Sequence, residues 1–235
     1  EDRSDFAVFL ATLHLRSPGM IRCMAEMHGR TLATHLNAEW STFERYEAFV
    51  DRMDAELGTV TKNRREAYDF WKDPNRYSIG IDRTEGLRAL DSAADIAEIL
   101  HGRHWYLLDA AQGHFITSDQ PVERSTPGRG EGAFRNLRTE VSFPLSPGRC
   151  LLITGSWLGR HRHVVGPGAV AKLNDMRARY AERLIWSHQK SEAVRALAER
   201  HKDKRLEMRF SNSEELPDID VERPRFGPVT EAGRG

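Results

Sequence analysis

The sequence lacks the cysteine pattern of a metal or disulfide framework. It contains only two cysteines in 235 residues, Cys23 and Cys150, and no CxxC pair. Without closely spaced thiols we expect neither a zinc site nor a disulfide network, and the low cysteine content favours a reducing, cytoplasmic compartment. Both cysteines stand among apolar residues, where a free cysteine behaves as a small hydrophobic side chain, so no cysteine chemistry is predicted.

Long apolar runs and an excess of either charge are also absent. No run approaches the roughly 20 apolar residues that a membrane-spanning helix needs, and the first residues do not form a signal peptide. Thirty-five Lys and Arg residues balance 35 Asp and Glu residues, which disfavours a nucleic-acid partner. Ten Phe and five Trp residues are too many for a disordered chain. We therefore predict a soluble protein with no membrane partner, whose partner is a small molecule, a peptide or another protein.

Nucleotide-binding and hydrolase motifs are missing as well. The sequence has no Walker-type phosphate loop and no glycine-rich dinucleotide fingerprint. The segment Gly155-Ser156-Trp157-Leu158-Gly159 has the residues of a nucleophile elbow but not its spacing. The sequence indicates no cofactor, and a divalent metal ion is the only cofactor that it leaves open.

Apolar residues at intervals of three and four predict several helices. This spacing runs from Ser4 to Leu57, where we predict three helices, and returns in a short helix at Ser92–Leu100 that ends at Gly102. After the glycines around Pro167, a long helix is predicted from Val170 to Ile185.

Strand patterns fill the middle of the chain. Trp105–Ala110 and His114–Thr117, separated by a turn-like segment, predict a β-hairpin. Arg138–Phe143 alternates apolar and polar residues, and Arg149–Thr154 supplies a fourth strand. The fold class is therefore α+β, with a helical N-terminal part, a central antiparallel sheet of about four strands and a long C-terminal helix packed on that sheet.

We predict one α+β domain over residues 1–210. It comprises a helical lobe at about 1–102, followed by the sheet and C-terminal helices at about 103–210. Glu123–Phe134 is interpreted as a surface loop, and the acidic, proline-containing residues 211–235 as a flexible polar tail.

Two motifs carry a family resemblance. They are Phe115–Val122, with the sequence FITSDQPV, and Phe143–Pro147, which leads into a strand beginning at Cys150. Together they resemble the bacterial family called domain of unknown function 4238, which commonly has Asn at the position of Gln120. Further matching positions are Arg16-Ser17-Pro18, Trp105 and Asn174. The resemblance spans most of the chain, and the function that it implies is unknown.

The sequence departs from that family at its start. The family normally opens with a His-His-x-x-Pro segment, whereas this sequence begins directly in a predicted helix. The sequence does not tell whether such a segment precedes residue 1. We expect no chemistry here that would need those histidines, and whether the chain is an enzyme stays open.

The Thr117–Pro121 corner is the leading candidate site. Asp119 follows a strand, where its carboxylate can accept backbone N–H groups, and Pro121 holds Gln120 in extended geometry. One interpretation is that these side chains only close a turn. The other makes Asp119 a general base with Ser118 orienting a substrate group, provided that the carboxylate faces an open cavity. The candidate ligand-binding residues are Thr117, Ser118, Asp119, Gln120, Arg160 and Arg162.

Histidines near this corner suggest a metal site. The candidate ligands are His101, His104 and His114, which could join Asp119 around a divalent cation. Chance pairs are common among ten histidines, so exposed polar side chains are the simpler interpretation. Arg160 and Arg162, beside His161 and His163, could contact a phosphate.

Three functions follow from these features. The favoured hypothesis is a ligand-binding or regulatory module with a polar pocket at Thr117–Pro121. The first alternative is a metal-assisted hydrolase that acts on a phosphoester-type bond through Asp119 and the nearby histidines. The second is a protein-interaction scaffold, which a large exposed apolar patch would indicate.

Overall fold

The computed structural model describes residues 2–73, 76–77, 87–125 and 133–203. The chain divides into two compact units. The described part of the first unit comprises residues 2–25, 87–125 and 133–203, and that of the second comprises residues 26–73 and 76–77. The tail predicted at 211–235 and residues 126–132 of the predicted surface loop lie outside the described residues. The single domain at 1–210 stays a prediction.

Seven α-helices and one 3-10 helix occur in the described ranges. They are α1 (Asp2–Leu15), α2 (Pro18–Glu39), α3 (Phe43–Leu57), α4 (Arg64–Lys72), the 3-10 helix Arg88–Ser92, α5 (Ala93–His101), α6 (Pro167–Tyr180) and α7 (Glu192–His201). Helix α3 ends at Gly58, whose φ of 65° is a left-handed conformation that glycine adopts without strain. No helix of the described ranges has both the length and the apolar character needed to cross a membrane.

The first unit is built around a five-stranded sheet. Its strands are β1 (His104–Ala110), β3 (Glu123–Ser125), β4 (Glu140–Ser146), β5 (Arg149–Thr154) and β6 (Arg162–Val165). Their order is β3-β4-β5-β1-β6, and every neighbouring pair is antiparallel except β1 and β6. The predicted α+β class, helical N-terminal part and central sheet are confirmed, while the parallel strand β6 was not foreseen.

The predicted hairpin of Trp105–Ala110 with His114–Thr117 is wrong. Strand β2 (Thr117–Ser118) pairs instead with β7 (Ile185–Trp186) in a separate two-stranded sheet. The intervening backbone has other partners, because Phe115 N–H donates to the Pro147 carbonyl (2.8 Å) and Ile116 N–H donates to Asn174 Oδ1 (3.0 Å). These bonds direct the chain past the turn between β4 and β5 and toward α6.

Both faces of the sheet are covered. One face presents Val141, Leu151 and Ile153, which are buried against α1 and α5. The residues that cover this face are Ala7, Leu10 and Ala11 from α1 with Ala97 and Leu100 from α5. On the opposite face, Leu108 and Cys150 pack with Val170 of α6. The C-terminal helix therefore packs on the sheet as predicted, although it ends at Tyr180 and Ile185 belongs to β7.

The second unit is a helical cluster with an aromatic core. Trp40, Tyr46 and Val50 are buried there, with Tyr68 and Trp71 of α4 packed against them. The rings of Trp40 and Trp71 lie 5.6 Å apart in an edge-on arrangement that aromatic pairs prefer.

Candidate functional site

The Asp119 carboxylate is bound to the backbone that follows α6. Its Oδ1 accepts the N–H of Glu182 (2.9 Å) and its Oδ2 accepts the N–H of Arg183 (2.8 Å). The Asp119 N–H in turn donates to the Leu184 carbonyl (3.1 Å). Three hydrogen bonds thus tie this corner to the segment between α6 and β7, and they supply partners for backbone groups of that segment.

The neighbouring polar side chains of the corner are also occupied. The buried Ser118 hydroxyl donates to the Gln120 carbonyl (3.0 Å) and accepts the Gln120 N–H (3.2 Å), which closes a tight turn. Gln120 is buried against the first turn of α2, where a Cβ on Gly19 would stand only 2.6 Å from Gln120 Oε1. Thr117 pairs with Trp186 across the small sheet. A ligand at this corner would have to compete with these contacts.

The three candidate histidines have separate surroundings. His101 is exposed at the end of α5, His104 begins β1 beside Trp157, and the His114 ring lies 4.0 Å from that of His188. Among the residues that the structure describes, no group of three or more His, Cys, Asp or Glu side chains could hold a metal ion. The metal ligands therefore stay a prediction from the sequence.

The two candidate arginines lie at the edge of the sheet. Arg162 and Arg149 both bind the Asp109 carboxylate, and the Arg149 Nε to Oδ1 distance is 2.9 Å. Hydrogen bonds from Arg162 and then Arg149 lower the pKa of Asp109, so this carboxylate stays ionised and the trio carries a net positive charge. Arg160 is exposed in the loop that precedes β6.

A buried ionisable pair lies between the sheet and α6, and the sequence reasoning missed it. Arg177 has no exposed surface, and its Nη2 donates to Ser142 Oγ (2.9 Å) and lies 3.8 Å from Glu123 Oε2. Neither Glu123 oxygen has a hydrogen bond of normal geometry among the described residues, and the nearby Ser142 hydroxyl is the weakest influence on this carboxyl group. Burial is the main cause that raises the pKa of Glu123 to about 7, and the charge of Arg177 opposes this increase.

A signal for this pair was present in the sequence. Val170 and Leu173 form an apolar stripe on α6, and Arg177 follows Leu173 by four residues. Residues at this spacing share one face of a helix, so Arg177 had to lie on the packed face of α6. Glu123 directly follows the Phe115–Val122 motif. Arg177 also acts on Cys150, because burial is the main cause that raises the pKa of this thiol and the charge of Arg177 opposes the increase.

The loop between β5 and β6 exposes a tryptophan. The Trp157 side chain is 58% exposed and lies between two histidine rings, His104 and His161, each with its centroid 5.2 Å away. Leu158 beside it is also exposed. Tryptophan is enriched among the residues that dominate the binding energy of protein interfaces.

This loop has a fixed conformation. The hydroxyl of the fully buried Tyr106 donates to the Ser156 carbonyl (3.2 Å) and accepts the Leu158 N–H (2.8 Å), so it holds the backbone on both sides of Trp157. Ser156 N–H also donates to Thr154 Oγ1 (3.2 Å), at the end of β5. In the sequence this segment stands out only because it has the residues of a nucleophile elbow without its spacing, and no pattern there predicts an exposed surface.

The chain matches a known protein family. The family model described as "Protein of unknown function (DUF4238)" matches residues 1–191. This result confirms the resemblance that the two sequence motifs indicated. No curated protein and no solved structure matches the chain.

Proposed function

We propose that this chain, which belongs to the DUF4238 family, is a protein-interaction module. The description of the family gives no activity. Its binding surface is formed by the Trp157 loop and the outer edge of β6, and its partner is an extended, acidic peptide segment. The carrying observation is the rigid exposure of Trp157, which the buried Tyr106 hydroxyl holds in place. A preorganised aromatic side chain loses little entropy on binding.

The edge of β6 supplies backbone groups for a partner. Leu107 N–H donates to the His161 carbonyl (2.8 Å) and Ala111 N–H donates to the Val165 carbonyl (2.9 Å). His161 and Val165 therefore direct their carbonyl groups toward β1. By alternation, Arg162 and Val164 direct their N–H and C=O groups away from the sheet. Such an edge can accept a further strand.

The side chains around this edge indicate the chemistry of the partner. Val164 is 75% exposed and lies with Arg162 on one face of the edge strand. His161 and the Trp157 ring that contacts it lie toward the other face. An added strand would alternate its side chains between these two faces. Arg160 and the net positive Asp109 trio favour acidic residues in that strand.

This proposal combines the interaction scaffold, the second alternative from the sequence, with the peptide-binding form of a binding module. A small-molecule pocket at Thr117–Pro121 has less support, because both oxygens of Asp119 already accept backbone N–H groups. The hydrolase hypothesis has less support for the same reason.

The test is selection of a twelve-residue random peptide display library on the full chain. We expect enrichment of sequences with acidic residues and alternating apolar positions, and a synthetic peptide of the enriched sequence then serves as a fluorescent probe. Trp157→Ala should weaken its affinity at least tenfold, corresponding to about 1.4 kcal/mol. Trp186→Ala is the matched control, because Trp186 is 48% exposed but lies in β7.

A second variant tests the strand edge itself. Val164→Pro removes an N–H that points away from β1, so the sheet should keep its own hydrogen bonds while peptide affinity falls. The proposal is refuted if no sequence is enriched, if Trp186→Ala is as damaging as Trp157→Ala, or if Val164→Pro leaves affinity unchanged. It is also refuted if Trp157 mediates binding to anionic lipid vesicles instead of to peptide.

A further inference from the structure

The second unit contains an open groove between one face of α2 and one face of α3. Its volume is about 460 Å³, which is within the range of sites for small organic ligands. His35, Ala38 and Glu39 recur at helical spacing on α2, and Arg45, Ala48, Phe49 and Arg52 do so on α3. Trp40 completes the lining.

The groove combines apolar and cationic surface. Ala38, Ala48 and Phe49 give it an apolar wall, while Arg45 and Arg52 contribute two guanidinium groups. Arg52 lies over the Phe49 ring at 5.6 Å, and Arg45 Nη1 donates to Ser41 Oγ (3.3 Å). Neither arginine forms an ion pair with a carboxylate in the part of the chain that the structure describes, although Glu39 also lines the groove. Among those residues, no carboxylate competes with a ligand for these two positive charges through an ion pair.

Trp40 provides a second and independent indication of a ligand. Its side chain is more than nine-tenths buried, and its Nε1–H has no acceptor among the described residues. A buried donor without a partner costs about 1–3 kcal/mol, and an acceptor atom of a ligand would recover part of that cost. Trp40 lines the groove, so its unpaired indole N–H belongs to a residue that a bound ligand would contact.

We infer that this groove binds an amphipathic organic anion, with an apolar body against Phe49 and a carboxylate, sulfonate or phosphate group held by Arg45, Arg52 and the Trp40 indole. Guanidinium groups bind such anions through charge-assisted hydrogen bonds. The apolar wall excludes a free inorganic anion as the preferred ligand, because phosphate alone would leave that surface uncovered. The inference does not depend on the peptide-binding proposal, since it uses different residues.

The experiment compares two dyes that differ in one charged group. The probe is 8-anilinonaphthalene-1-sulfonate, and its uncharged analogue N-phenyl-1-naphthylamine lacks only the sulfonate. We expect the anionic dye to bind the folded chain more tightly, and Arg45→Gln or Arg52→Gln to weaken its binding about fivefold each. Arg65→Gln is the matched control, because Arg65 lies in the same unit over Phe43 and does not line the groove.

The indole N–H signals in a ¹H–¹⁵N spectrum locate the site. The chain has only five tryptophans, so only five such signals have to be resolved. Trp40→Phe assigns the relevant signal, and we expect the anionic dye to shift that signal while the Trp157 signal stays in place. Equal binding of both dyes, or a loss of affinity with Arg65→Gln as large as with Arg45→Gln, would overturn the inference. So would a dye-induced shift of other indole signals with none at Trp40.

Discussion

Replacing Glu123 with Gln should change how the stability of the protein depends on pH. Glu123 is 3% exposed, and its pKa of about 7 in the folded chain lies above the ordinary value of 4.5. The folded state therefore binds more protons than the unfolded state between these two pH values. The stability that the protonated Glu123 contributes is fully present below pH 4.5. It is lost as the pH rises to about 7, because an ionised carboxylate must then stay buried.

The size of this effect follows from the two pKa values. Their difference corresponds to roughly 3 kcal/mol of unfolding free energy. Gln has nearly the shape of the protonated Glu and carries no charge, so Glu123→Gln should resemble the wild type at pH 5. At pH 8 the variant should be more stable than the wild type by up to about 3 kcal/mol.

A second buried group acts in the opposite direction. Burial is the main cause that lowers the pKa of His14 from 6.5 to about 3, so the folded chain keeps this imidazole neutral. Stability from His14 is present above pH 6.5 and is lost as the pH falls toward 3. Between pH 4.5 and 6.5 the contributions of Glu123 and His14 therefore oppose each other, and Glu123→Gln should reveal a rise in stability with pH.

The assay is urea denaturation followed by circular dichroism at pH 5, 6, 7 and 8. Glu192→Gln serves as the control, because Glu192 is a highly exposed residue in the first turn of α7. Parallel stability curves for the wild type and Glu123→Gln would refute the reasoning, since they would mean that the Glu123 carboxyl titrates alike in the folded and unfolded chain.

Two further substitutions test the packing of the first unit. Gly155→Ala should destabilise the protein by about 1–3 kcal/mol in thermal melts, because the new Cβ would lie 2.6 Å from the Leu137 carbonyl oxygen. Gly148→Ala is the control and should be nearly neutral, because the space around Gly148 is open. Asp119→Ala should cost about 1–3 kcal/mol and speed hydrogen exchange of the two amides that follow α6, with Asp119→Asn intermediate. Full stability with unchanged exchange would show that the corner is not structural.

The sequence predicted those elements whose pattern is local. The alternation in Arg138–Phe143 corresponds to β4, and the Val170 and Leu173 stripe correctly placed α6 on the sheet. The buried cysteines likewise behave as small core side chains. In each case a few neighbouring residues carry the information, because period and burial are coupled within a single element.

Partner choice between distant segments could not be read from those patterns. Asp119 has the strand-end position that was predicted, but the amides that it binds lie more than 60 residues later. The hairpin prediction failed for the same reason, since the Asn174 side chain takes the Ile116 N–H from across the fold. The exposure of Trp157 depends on the hydrogen bonds of Tyr106 with Ser156, 50 residues away, and Leu158, 52 residues away, and no spacing rule connects them.

The arrangement of α1 has a consequence for how the chain assembles. Leu10 packs with Leu100, and the same cluster closes only when Leu151 and Ile153 of β5 join it, some 140 residues further along the chain. The second unit, in contrast, forms its core from helices adjacent in sequence. Low contact order makes the helical cluster the faster of the two to fold, while the apolar stripe of α1 stays uncovered during synthesis until β5 has also been made.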